Sequence, residues 1–180
     1  NRTERSLSDS QAGMGIGASR VEERILATTG LIQEASTQFE THNNVMNAGI
    51  LVSLPALISQ GLLKSKEIYS PLKAGYYGFV HIILLLCFMA LSRIKNPEQL
   101  KNQPPGEWGK IMGLDRIPEG NCVRGKLSQI VSQGKAQSFV RWLSESWITK
   151  EDCLYFYIDG HVRIYFGYKA NLTKKFISRQ

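Results

Sequence analysis

The chain has only three cysteines, Cys87, Cys122 and Cys153, and no Cys-x-x-Cys pair. That scarcity argues against a zinc clip or a disulfide framework and fits a reducing cytoplasm. The glycine-rich run Gly13-Met14-Gly15-Ile16-Gly17 has no strand-like stretch before it and no Gly-Lys-Ser/Thr after it. It therefore reads as flexible chain and not as a phosphate-cradling loop. The beginning lacks the basic, apolar, small-residue order of a signal peptide. From Ala74 to Ser92 there is no charged residue, yet the densely apolar part, Val80 to Leu91, is only twelve residues. A membrane span needs about 20 such residues, so a buried core helix is the better reading. No Ser-His-Asp or Cys-His set can be assembled, and His42 and His81 show no ligand spacing.

What is present is basic charge, unevenly spread. The net charge is +7 over 180 residues. Residues 1–100 carry nine Lys/Arg and eight Asp/Glu, whereas residues 101–180 carry thirteen and seven. After Asp159 come Arg163, Lys169, Lys174, Lys175 and Arg179, and no acid. Basic charge concentrated in one region attracts polyanions, with nucleic acid the leading partner and an anionic membrane surface second. The bland alternative is a solvated face without function.

Residues 1–47 read as a flexible N-terminal segment, with a short helix over 19–29 ended by Gly30. Ser70-Pro71-Leu72-Lys73 looks like a helix entry. Asn96-Pro97-Glu98 combines a capping Asn, a first-turn Pro and an acid at the positive end of the dipole. Gly106 to Met112 predicts another helix, ended by Gly113. Val123, Leu127, Ile130 and Val131 recur at helical spacing before Gly134, and Phe139, Trp142, Leu143 and Trp147 mark one more amphipathic helix. Short helices joined by tight turns over 48–150 suggest a helix-turn-helix-like region.

At Cys153 the pattern changes. Leu154 to Ile158 is aromatic and branched, and Val162 to Phe166 alternates with a period of two, so both read as strands. Asp159 lies between them. It is either a turn residue before Gly160 or, within one long strand, a carboxylate held for a hard cation such as Mg²⁺. His161 would then share its face and could orient a water or contact phosphate.

Four segments carry a resemblance: Pro71-Leu72-Lys73-x-Gly75-Tyr76-Tyr77-Gly78, Gly106-Glu107-Trp108-Gly109-Lys110, Gly113-Leu114-Asp115-Arg116-Ile117-Pro118-Glu119, and Tyr157-Ile158-Asp159-Gly160-His161-Val162-Arg163. Over residues 49–180 the chain resembles the N-terminal part of a family of bacterial transposases of the DDE type. The resemblance implies an α+β chain in which a helical DNA-binding region, 48–150, precedes the first strands of an RNase H-like domain, 151–180. It makes Asp159 the first catalytic carboxylate, holding Mg²⁺ together with further acids. Two-metal chemistry of this kind drives in-line attack on a phosphodiester. The basic residues after Asp159 are expected along DNA phosphates, with Arg116, Arg124 and Lys126 as further candidates. The chain departs from the pattern at Gly120-Asn121-Cys122 and Gly125, which interrupt the expected recognition helix at 122–132, and in the lack of Asp or Glu among the 21 residues after Asp159. Two other functions stay open: a non-catalytic DNA-binding relic of a truncated transposase, and a small membrane protein with spans near 48–63 and 74–92.

Overall fold

The computed structural model of the chain describes residues 18–148. Seven α-helices occur there: α1 (Val21–Thr28), α2 (Leu54–Ser59), α3 (Ser65–Ile68), α4 (Phe79–Leu91), α5 (Pro105–Ile111), α6 (Gly120–Ser132) and α7 (Ala136–Trp147). Two 3₁₀ segments, Ala48–Ser53 and Pro97–Asn102, join them.

Local chemistry sets several boundaries. Glu22 and Glu23 occupy the first turn of α1, where the helix dipole favours acids. The helix ends in a Schellman turn: Leu31 N–H reaches Leu26 O at 2.9 Å, and Gly30 takes the left-handed backbone at φ 76°. The same closure ends α5, with Leu114 N–H on Gly109 O at 2.9 Å and Gly113 at φ 65°. At the end of α4 the left-handed position is held by Arg93, φ 59°. Asn96 caps the Pro97–Asn102 segment, its Oδ1 accepting from Gln99 N–H at 3.1 Å.

α4 is the centre of the body. Seven of its thirteen residues are buried, Ile82, Leu85 and Phe88 completely. Trp108, Ile111 and Met112 of the α5 region are equally inaccessible and complete the core with Ile117 and Val123. Full burial of such side chains stabilises by about 1.5–3 kcal/mol each. Trp108 satisfies its ring N–H on Gln103 Oε1 at 3.2 Å. At about 20 Å, α4 falls well short of a bilayer's hydrocarbon thickness. Among the described residues no helix is long and apolar enough to cross a membrane.

Two expectations are corrected. The α+β class does not hold: among the described residues all regular structure is helical, with no strand. These helices bury their apolar faces against one another and close a core without a sheet. The stretches expected as strands, 154–158 and 162–166, lie outside the described residues, as does the proposed 151–180 catalytic segment. The helix entry expected at Ser70–Lys73 is also absent, because that backbone is spent on contacts with another helix. Gln133 of the α6 C-cap accepts from Ser70 N–H at 2.8 Å and donates to Ser70 O at 3.1 Å. Gln129 accepts from Lys73 N–H at 2.9 Å, and Lys126 Nζ donates to Lys73 O at 2.6 Å. The loop bends through residues 73–77 and ends at Gly78, where α4 starts with the His81 ring accepting the Gly78 N–H at 3.1 Å.

Candidate nucleic-acid interface

Asp115 is the most heavily bonded side chain of the body. Its carboxylate is 1% exposed. Arg24 Nε donates to Oδ2 at 3.0 Å and Arg24 Nη2 to Oδ1 at 2.5 Å, a two-point fork. Tyr76 Oη donates to Oδ1 at 2.7 Å, and the backbone N–H groups of Ser19 and Arg20 reach Oδ2 at 3.1 and 3.2 Å. Arg24 also stacks on the Tyr76 ring, 3.9 Å from its centroid. Burial pushes the carboxyl pKa up, but the hydrogen bonds from Arg24 and Tyr76 outweigh it, and Asp115 sits below its ordinary value. For Arg24, burial is likewise outweighed by the bonds to Asp115 and Tyr77, so its charge is held more firmly than usual. Burial pushes the neighbouring Tyr77 hydroxyl up to about 12, and that hydroxyl donates to Arg116 O at 3.0 Å.

This cluster ties residues 18–38, part of the segment read as flexible, onto the core. Arg20 adds bonds to Ser36 O at 2.6 Å and Gly113 O at 3.1 Å, and Gln38 N–H reaches Gly113 O at 2.8 Å. It also joins three of the four segments that carried the resemblance: Tyr76 and Tyr77 from the first, Asp115 and Arg116 from the third, and Gly109 from the second. A Cβ on Gly109 would stand 2.5 Å from Arg116 N, so only glycine allows that backbone approach. With the Asp115 carboxylate enclosed and its donors in place, the cluster is a structural clasp.

The opposite side of Arg116 opens a cleft of about 270 Å³. Its wall combines Pro97 and Leu100 of the 3₁₀ segment, Pro105 of α5, and Ile117 and Pro118 before α6. Lys101, Arg116 and Arg124 bring three cations to it, against the two carboxylates of Glu98 and Glu119. The Arg116 side chain is 8% exposed, and its one ionic partner, Glu119 at 3.5 Å, is itself 45% exposed. Arg124 pairs with Glu98 and donates to Asn121. At the head of α6, Glu119 provides no side-chain cap and the first turn holds no acid, and Gly120 and Asn121, whose N–H groups have no cap, line the cleft. An uncapped helix start with cations around it suits an anion.

Two of the DNA-contact residues expected from sequence, Arg116 and Arg124, thus meet in one cleft. Lys126 does not join them. It lies on another face of α6, bonded to Lys73 O, and burial pulls its ammonium below the ordinary lysine value. The expected recognition helix is real as a helix, but Lys126, Gln129 and Gln133 serve internal contacts. Asp159, His161, Arg163, Lys169, Lys174, Lys175 and Arg179 lie outside the described residues. Among the described residues no group of three or more His, Cys, Asp or Glu could hold a metal, so the Mg²⁺ expectation rests on Asp159 and not on the helical body. Sequence reasoning passed over Lys101 and the clasp of Arg24 and Asp115. Lys101 had a legible signal in its closeness to Pro97 and Pro104-Pro105, whereas the pairing of Arg24 with Asp115 spans 91 residues and had none.

The described residues thus form an all-helical body with a cation-lined cleft suited to an anionic partner. A family model described as transposase protein matches residues 15–180, and the chain belongs to that transposase family. No curated protein and no solved structure matches it.

Proposed function

We propose that the chain is the DNA-holding part of a transposase of the DDE type. It grips the sugar-phosphate backbone through its basic C-terminal half and presents Asp159 to the phosphodiester. Membership of the transposase family over residues 15–180 carries this reading. The thirteen basic against seven acidic residues of 101–180, and the cations of the cleft, support it. Arg163, Lys169, Lys174, Lys175 and Arg179 extend the grip along the backbone, with His161 beside Asp159. Mg²⁺, held by Asp159 and further carboxylates, would supply the Lewis acid for cleavage and strand transfer.

Duplex binding measured by fluorescence anisotropy tests the grip. Between 50 and 200 mM salt the affinity falls by about 10³-fold if six phosphates or so are neutralised. Affinity that ignores salt sinks the proposal. Asp159→Asn should leave that binding intact and remove Mg²⁺-dependent strand cleavage. A non-catalytic DNA-binding role is the second reading, favoured by the cleft cations Lys101, Arg116 and Arg124, which serve binding alone. It predicts unchanged behaviour of Asp159→Asn in both assays.

A further inference from the structure

The cleft beside Arg116 has more than phosphate chemistry in it. A site for phosphate alone needs cations and N–H groups. It has no use for an apolar wall, of which Pro97 and Pro105 are part-exposed and Leu100, Ile117 and Pro118 lie buried behind them. That wall suits the apolar face of a ring. The cleft volume, about 270 Å³, lies just under the range of about 300–1,000 Å³ typical of drug-sized ligands. There is room for one small ring system and its substituent, and none for a helix or a peptide segment.

The polar groups of the wall are mostly donors. The Arg116 guanidinium is nine-tenths buried, and its five N–H donors make no hydrogen bond within 3.5 Å to another described residue, leaving only the ionic contact with Glu119. Gln103 Oε1 is engaged by the Trp108 ring N–H at 3.2 Å, which turns its amide so that the NH₂ remains as the unspent donor. Lys101, without a carboxylate partner among the described residues, stands at the rim near the uncapped start of α6. A ligand matching all three features is a planar heterocycle with acceptor atoms on its edge and an anionic group attached.

Resting on the proposed DNA-holding role, we infer that this cleft receives one unpaired nucleotide of the DNA. The base lies against Pro97 and Pro105 with its acceptor edge toward Arg116 and Gln103. Its phosphate lies between Lys101 and the first turn of α6. A base within a duplex is stacked and paired and cannot enter, so the cleft selects strand ends, overhangs or extruded bases. Arginine guanidinium planes and side-chain amides are the usual partners of splayed bases, and the stacking contribution tolerates sequence.

The test uses the full chain, a short single-stranded oligodeoxynucleotide, the same strand with abasic sites, and a blunt duplex. Binding of the base-bearing strand should exceed that of the abasic strand by about tenfold. Asn121→Trp and Lys101→Trp each place a bulky ring at an exposed lip of the cleft. Both should erase the difference while leaving the fold, followed by circular dichroism, intact, and Asn121→Trp should also leave duplex binding unchanged. Equal affinity for the two strands, or a preference that survives both substitutions, overturns the inference. So does inorganic phosphate displacing both strands alike at matched ionic strength, which would mark an anion site without a base. Failure to bind blunt duplex at low salt sinks the DNA-holding role. Absence of a base preference in the unsubstituted chain, with its duplex binding present, sinks this inference alone.

Discussion

α4 and α7 are nearly equal in length, thirteen and twelve residues, and are built on opposite plans. α4 is apolar on every side and is buried by what surrounds it. α7 is sharply two-faced and has no fully buried residue. Its Phe139 meets Tyr69 edge to face at 5.8 Å and stacks on Trp142 at 6.1 Å, while the tip of Trp142 lies over Gly61. Val140 stays 62% and Trp147 58% exposed. The difference shows where stability resides. The body around α4, α5 and the Asp115 clasp is cross-linked by side chains and glycines that tolerate no exchange, whereas α7 rests on it through one aromatic face.

The largest effect is expected at the centre. Trp108→Ala removes a completely buried ring and its hydrogen bond, and should cost about 4 kcal/mol in denaturant unfolding. A loss below about 1 kcal/mol would mean that the core is not organised around this ring. Asp115→Asn follows. It keeps the shape but removes the charge facing Arg24 and places NH₂ hydrogens where donors converge, so about 3 kcal/mol should be lost. Because the Asp115 pKa is depressed, its contribution is fully present above the unfolded value, near 3.8, and fades as pH falls through the folded one. The acid limb of the stability curve should therefore flatten in Asp115→Asn.

The helices of this body were legible wherever caps and periodicity agreed. Gly30, Gly113 and Gly134 stop helices and Asn96 caps a turn, while of the expected face Phe139, Trp142 and Leu143 are part-covered and Trp147 stays exposed. No helix starts at Ser70-Pro71, because its competing partners, Gln129 and Gln133, lie about 60 residues away. Long-range bonds of that kind leave no mark on local pattern. The segments Tyr76-Tyr77, Trp108-Gly109 and Asp115-Arg116 were rightly picked out, yet as a group they do structural work: the conspicuous residues close the clasp. In the same way Arg116 and Arg124 were found as cations, but only the fold shows that they share a cleft with Lys101 and that Lys126 is engaged elsewhere.

A subtler contrast within the core concerns His81. Burial lowers its pKa from the ordinary 6.5, and the ring is needed neutral, with one nitrogen accepting from Gly78 N–H and the other 3.3 Å from Thr37 Oγ1. The unfolded chain then binds more protons than the folded one, so stability should be full above pH 6.5 and fall as pH drops below it. Thermal unfolding between pH 7.5 and 5.5 reads this slope. His81→Asn, which can keep the acceptor for Gly78, should remove it, and an unchanged slope would place the titration elsewhere.

The smallest effects belong to α7 and sharpen the contrast most directly. Trp142 is only partly covered, so Trp142→Ala should cost about 1 kcal/mol, a fraction of the loss at Trp108. Val140→Ser touches a side chain already 62% exposed and should stay within about 0.5 kcal/mol of the parent. Amide hydrogen exchange separates the two regions in a single experiment. Amides of α7 should exchange through local opening at lower free energy than those of α4, because few buried contacts must break to release them. Trp142→Ala should accelerate exchange in α7 and leave the protection of α4 in place. If both helices lost protection together, α7 would be an integral part of the cooperative core, and the division drawn between a locked body and a resting helix would fail.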